Sequence, residues 1–226
     1  MTYIIAFAIL VILPAYNYYR TTTIKLHNSL IEKQKGYYQI YLIYWSLILL
    51  IFSQYSFDDL FYSKYPIEFN LLSTIIIGLL IAYLFITTIL PLLLIPFHKQ
   101  FRDMVSSNYD ERLYPTTSKQ QKMFVLVAIT VGICEEVIYR GFLYPFFNQL
   151  LLTPFWSFLF ASIIFGISHF MQGITGMINS FLFGLIMSYL YIQTGSLFLP
   201  IIIHIIYDLK PIWITRLLLL ERNKAA

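Results

Sequence analysis

The chain has 226 residues, of which 59% are hydrophobic and only 12% charged, and its mean hydropathy is +0.72. A soluble domain still needs a polar exterior, with about a quarter of its residues charged, so the composition excludes one and points to a polytopic membrane protein. The single cysteine, Cys134, excludes an intramolecular disulfide framework, and the net charge of +4 does not indicate nucleic-acid binding, because the basic residues gather between apolar runs as in cytoplasmic membrane loops.

The first apolar run, 3–19, has no basic leader and ends in Tyr-Asn-Tyr-Tyr-Arg instead of a small-residue cleavage site, so a retained span is expected rather than a signal peptide. A second run covers 38–53. The third, 71–96, exceeds the ~20 residues a span needs, which predicts tilt or a bend near Pro91. The polar stretch 97–122, holding Asp103, Asp110, Glu111 and Pro115, is predicted to lie at the membrane surface, partly as an amphipathic helix. Beyond it the chain is almost continuously apolar, and spans are expected near 123–149, 155–170, 174–193 and 197–220. Gly141 with Pro145, and Pro211, are the expected breaks within them. The predicted fold is therefore all-α, a transmembrane helix bundle of about seven spans, with six to eight as the range.

Orientation follows from lysine and arginine. Segment 20–37 holds Arg20, Lys25, Lys33 and Lys35, and segment 97–122 holds Lys99, Arg102, Arg112, Lys119 and Lys122. Segment 54–70 has Lys64 alone, beside Asp58, Asp59 and Glu68. The two basic segments are predicted to be cytoplasmic. Seven spans then place the amino end outside and the carboxyl end, with Arg216, Arg222 and Lys224, inside a bacterial plasma membrane.

Ionisable side chains within spans are costly and tend to face a protein interior or a wet cavity. Glu135, Glu136, Arg140, His169, His204 and Asp208 all lie in the second half of the chain. Glu136 with Arg140, and His204 with Asp208, have the four-residue spacing that places both members on one helix face. Glu136–Arg140 has the spacing of an ion pair that pins the bundle, His169 of an interhelical hydrogen bonder, and His204–Asp208 of a satisfied buried pair. Glu135 is harder to account for structurally, because one arginine does not neutralise two adjacent carboxylates. A carboxylate and a histidine on neighbouring helices can hold and deprotonate one water while other polar groups steady an oxyanion. Zinc held by His169, His204 and an acidic residue is the alternative, although no HExxH is present. Cys134 beside Glu135 and Ser168 beside His169 are poor nucleophile–base pairs, since adjacent helical side chains point about 100° apart. Gly176, Ser180, Gly184 and Ser188 form a small-residue stripe expected to draw the helices of Glu135 and His204 together. Counting at ~1.5 Å per residue puts His169 nearer the cytoplasmic end than Glu135 or His204, which requires a wet opening on that side or shifted helix starts.

Taken in order, these motifs resemble the CPBP intramembrane protease family, the CAAX protease and bacteriocin-processing or Abi family, which includes the type 2 CAAX prenyl protease. EExxxR reads Glu135-Glu136-Val-Ile-Tyr-Arg140, FxxxH reads Phe165-Gly-Ile-Ser-His169, and the third motif reads His204-Ile-Ile-Tyr-Asp208. The resemblance covers about residues 119–210 and leaves the first three spans outside. It implies that Glu135 and His169 activate the attacking water, that Glu136 and Arg140 organise the site, and that His204 and residue 208 stabilise the oxyanion, without a cofactor. The prenyl protease branch has asparagine where this chain has Asp208. An ionised aspartate cannot donate to an oxyanion, so it is protonated there or orients His204 instead.

The expected organisation is three spans and an interfacial segment over 1–118, followed by a catalytic helical core over 119–226. The expected activity is hydrolysis of a peptide bond in a hydrophobic or lipidated peptide or membrane protein, within a lipid bilayer. A proton-coupled transporter or channel using Glu135, His169 and Asp208 as a relay is one alternative. A non-catalytic membrane immunity or scaffold protein is the other.

Overall fold

Backbone groups in lipid must satisfy one another, and a helix does this within one segment. The computed structural model is accordingly all-α, and one isolated antiparallel bridge joins Tyr62 to Ser196. Residues 1–27, 30–65, 67–68, 70–109, 114–151 and 153–225 are described. Asp110, Glu111 and Arg112 lie outside them, as do the side chains of Arg222 and Lys224.

Helix α1 runs through Thr2–Phe7, Ala8–Ile12 and Leu13–His27, and α2 is Leu30–Phe52. The basic segment predicted between the first two spans is thus mostly two helix ends. Residues 20–26 and 30–35 contain neither glycine nor proline, and nothing in them interrupts the helical hydrogen-bond ladder. Lys33, counted above as a loop lysine, is buried, and its Nζ donates to the Tyr114 carbonyl at 2.9 Å. A short helix α3, Phe57–Phe61, is capped by Ser56, and α4 is Leu71–Leu94 with Pro91 inside it. Within the polar stretch lies helix α5, Lys99–Asn108.

Helix α6 begins at a Thr117 capping box and runs through Ser118–Glu136, Val137–Leu143 and Tyr144–Leu151. Gly141 and Pro145 therefore do not divide the fourth span. Its middle segment, Val137–Leu143, is π-helical, as is Ala8–Ile12 in α1, and each wide segment ends two residues before a proline, Pro145 or Pro14. A proline lacks the N–H of a regular turn and crowds the carbonyl four residues earlier, and a wider turn relieves both. Helix α7 is Pro154–Ser168, α8 is Gly173–Thr194 after a 3₁₀ turn, α9 is Phe198–Asp208 and α10 is Lys210–Ala225. The break between the last two falls at Leu209, two residues before Pro211.

Among the described residues four segments are long and apolar enough to cross a membrane: Thr2–Leu26, Leu71–Leu94, Phe170–Thr194 and Phe198–Leu220. Pro154–Ser168 is a shorter apolar helix. Helices α2 and α6 have the length but carry tyrosine, glutamate, glutamine and arginine in their sequences. Of these, Tyr44 of α2 and Glu135, Glu136 and Arg140 of α6 meet in the site described below, whereas Glu32 pairs with Lys35 at the surface.

Helix α6 is the axis of the arrangement, with α2 and α9 along its first half, α7 against its last turns and α8 packed on α7. Two glycines set its approaches. A Cβ on Gly132 would fall 2.6 Å from Ile205 Cγ1 and 3.1 Å from the Ile205 nitrogen, so α6 and α9 meet there nearly backbone to backbone. A Cβ on Gly141 would fall 2.6 Å from the Leu60 carbonyl, so α3 lies directly on the wide turn. Two backbone hydrogen bonds, Ser63 to Gly195 and Leu197 to Phe61, tie the α3 loop to the α8–α9 turn at 3.0 Å each. On that same loop Lys64 and Ser56 donate to Asp59 and hold its carboxyl down at about 2.

Candidate active site

The first motif sits where α6 changes from α- to π-helical geometry. Glu136 and Arg140 are 0% and 1% exposed, so neither charge has water to rely on. Arg140 is paired on all sides instead. Its Nη1 donates to Glu136 Oε1 at 3.0 Å, its Nη2 to the Gly184 carbonyl at 2.9 Å and its Nε to Ser188 Oγ at 3.3 Å. The Phe165 ring lies against its face, 4.8 Å from the guanidinium carbon. Half of the small-residue stripe is spent on this cradle, and Gly184 also packs on Ser162 and Phe165 of α7. The stripe therefore does not join the helices of Glu135 and His204, as the sequence suggested. Gly132 does that, because it removes a side chain where α6 and α9 cross.

His204 projects from α9 into the same buried core. Its Nδ1 lies 2.7 Å from Glu136 Oε1. Glu136 Oε1 already accepts from Arg140 Nη1, so Nδ1–H is the donor. This fixes the ring and directs Nε2 to the far side, 3.7 Å from Glu135 Oε2 and 3.7 Å from Asp208 Oδ2. Those two separations are too long for direct hydrogen bonds. Glu136, which the sequence assigned to Arg140 alone, thus links α6 to α9.

Glu135 is held from a different quarter. Tyr44, on α2, donates its hydroxyl to Glu135 Oε1 at 2.6 Å. Oε2 has no hydrogen-bond partner among the described residues. Tyr44 was not singled out in the sequence, although Tyr37, Tyr41 and Tyr44 recur at the spacing of one helix face. Tyr41 donates to the Met123 carbonyl at 2.6 Å from that face.

The second motif closes α7. His169 is half-buried, and its Nδ1 lies 2.8 Å from the Phe165 carbonyl, which can only accept. Nδ1 is therefore the protonated nitrogen, leaving Nε2 available. Ser168 Oγ lies 3.2 Å from His169 Nδ1, closer than the adjacent-residue argument allowed, because the helix ends between them. Both groups donate to the Phe165 carbonyl, so Ser168 does not face a basic nitrogen. Cys134 is fully buried.

Glu135, His169 and Asp208 line one cavity of about 360 Å³, together with Arg20, Tyr44 and Lys210. Its lining extends to Tyr114 and Gln172, beside the surface stretch and the α7–α8 turn. Glu136 and Arg140 stay in the packed core behind this wall, and His204 is likewise almost completely buried. Zinc through His169, His204 and an acidic residue is not supported, since no three His, Cys, Asp or Glu side chains among the described residues are grouped as ligands.

Residues 118–209 match the family model described as Rce1-like, type II CAAX prenyl endopeptidase Rce1-like. No curated protein and no solved structure matches the chain. The match spans all three motifs, and with the buried cluster of His204, Glu135 and Glu136 it accords, at the level of the family, with hydrolysis by glutamate and histidine. Over residues 118–209 the chain is similar to the type II CAAX prenyl endopeptidases.

Proposed function

We propose that this protein is an intramembrane endopeptidase with Glu135 as the general base. The observation that carries the reading is the state of Glu135 itself. One oxygen is held by Tyr44 and the other is buried without a hydrogen-bond partner among the described residues, and the residue lines a cavity that His169 also lines.

In this reading a water lies between Glu135 Oε2 and His169. Glu135 takes its proton as the oxygen attacks the scissile carbonyl, and that proton later passes to the leaving amine. His169, its Nδ1–H fixed on the Phe165 carbonyl, accepts from the water through Nε2. His204 serves the oxyanion from Nε2, which requires the imidazolium. Its countercharges are Glu136 at 2.7 Å and Asp208 at 3.7 Å. Asp208 then acts on His204 rather than donating to the oxyanion, which suits an aspartate in place of asparagine. Glu136 and Arg140 position His204 without touching the reacting atoms.

The proposed setting is a plasma membrane crossed by seven spans, with α2 and α6 completing the apolar helices, the amino end outside and the cavity opening toward the cytoplasm. The substrate would be a hydrophobic or lipidated peptide entering from that side. Purified protein in lipid nanodiscs, offered a panel of hydrophobic peptides with and without a prenyl group, tests the reading. Wild type cleaves at least one, and Glu135→Gln lowers the rate by roughly 10²-fold or more with unchanged melting, in line with the loss of a general base. Undiminished cleavage by Glu135→Gln would overturn the assignment.

A further inference from the structure

The cavity wall opposite the motifs is built by α1 and α2, outside the region that matches the family. Arg20 is the residue there that needs explaining. It lies near the end of α1, and its Nη1 reaches the Gly36 carbonyl at a long 3.4 Å. Its Nε is buried without a hydrogen-bond partner among the described residues. Asn17 and Thr21 line the same wall. An arginine that lines a cavity, with the planar fork of its guanidinium little used, is poised to take an oxyanion.

The other charges of the cavity are already committed. Glu135 accepts from Tyr44, and Asp208 lies beside His204. The second cation, Lys210, places its Nζ over the Tyr207 ring at 4.5 Å, next to Asp208 in sequence. Arg20 is left as the positive group without an acidic partner among the described residues, in a space otherwise walled largely by aliphatic and aromatic side chains. A half-buried cation in such surroundings gains most from an incoming anion.

We propose that Arg20 forms a carboxylate-binding subsite, which holds a carboxylate of the peptide substrate while Glu135 and His169 act on a bond farther along the chain. The carboxylate is either the chain terminus or an acidic side chain. Both present the same two oxygens to the guanidinium, and Asn17 and Thr21 supply further donors. This inference rests on the peptidase reading for its substrate class, and the subsite itself is separable from catalysis.

The test measures binding before cleavage. The Glu135→Gln protein, alone and combined with Arg20→Gln or Arg20→Lys, is reconstituted in nanodiscs and titrated with a fluorescent hydrophobic peptide in four forms. These carry a free or amidated carboxyl terminus, and an internal glutamate or glutamine. With Arg20 intact, the form bearing the recognised carboxylate binds roughly ten-fold tighter than its neutral counterpart, as expected for a charge-assisted contact. Arg20→Gln removes that preference and leaves affinity for the fully neutral peptide unchanged, which also shows that the variant is folded. Arg20→Lys retains part of the preference. The terminal and internal arms identify which carboxylate is held. Equal binding of all four forms with Arg20 intact overturns the subsite, as does a preference that survives Arg20→Gln or an equal loss on every peptide. Arg20-dependent binding in a protein whose wild type cleaves nothing keeps the subsite and removes the peptidase reading. Cleavage without any Arg20 dependence does the reverse.

Discussion

Tyr44 of α2 donates to Glu135 of α6 at 2.6 Å, so the carboxylate at the head of the motif region is oriented by a helix from the other half of the chain. Tyr44→Phe keeps the ring and its packing but removes the donor. A hydrogen bond to a charged group contributes ~1.5–3 kcal/mol, and part of that is orientation in the reacting complex. We expect the cleavage rate to fall roughly ten-fold or more, mainly in kcat, with peptide binding retained. Steady-state kinetics on a confirmed peptide decide it, and an unchanged kcat would show that Tyr44 is only a packing residue.

Glu136 and Glu135 are neighbours with opposite expected phenotypes. Glu136→Gln leaves Arg140 buried without its carboxylate and deprives His204 of its acceptor. Breaking such a buried pair costs ~3–5 kcal/mol. Ser188→Ala, which removes one longer contact to Arg140, should cost ~1 kcal/mol. Glu135→Gln should change stability less than Glu136→Gln, because Glu135 faces His204 only at 3.7 Å and holds no hydrogen-bonded ion pair. Denaturant titration in mixed micelles gives the ranking; equal stability of Glu136→Gln and wild type would contradict the network.

Gly132 controls how closely the helices of Glu135 and His204 approach. Gly132→Ala sets a methyl against Ile205 of α9, with a backbone nitrogen at 3.1 Å that cannot swing aside. Overpacking of this kind costs ~1–3 kcal/mol. The resulting shift of α9 should also widen the 3.7 Å between His204 and Glu135 and lower activity. Melting and cleavage assays are expected to fall together, and Ile205→Ala, by clearing Cγ1, should recover part of both. Gly132→Ala with wild-type melting and rate would disprove the tight crossing.

Topology can be read by labelling without removing the native thiol, because Cys134 is 0% exposed. Lys35 and Asp58 are both exposed and lie at opposite ends of α2. Lys35→Cys should react with a membrane-impermeant maleimide only from the cytoplasmic face, and Asp58→Cys only from the outside. Reaction of both from one side would defeat the proposed orientation.

Sequence alone determined the all-α membrane character and the pairs that lie along a single helix. Composition decides the first. Helical periodicity decides the second, since Glu136 with Arg140 and His204 with Asp208 need only 3.6 residues per turn to face the same way. The cost of a charge in lipid was also enough to mark Glu135, His169 and their neighbours as one group. What crosses between helices was decided only by tertiary structure. That His204 bonds Glu136 rather than Asp208, that Tyr44 holds Glu135, and that Gly132 rather than the Gly176–Ser188 stripe sets the crossing all depend on helix rotation and separation. Periodicity carries neither quantity, because each is fixed by the interlocking of side chains from segments far apart in the chain. The wide turn at Val137–Leu143 was equally out of reach: Pro145 announces a disruption, while packing against Leu60 fixes how the helix absorbs it.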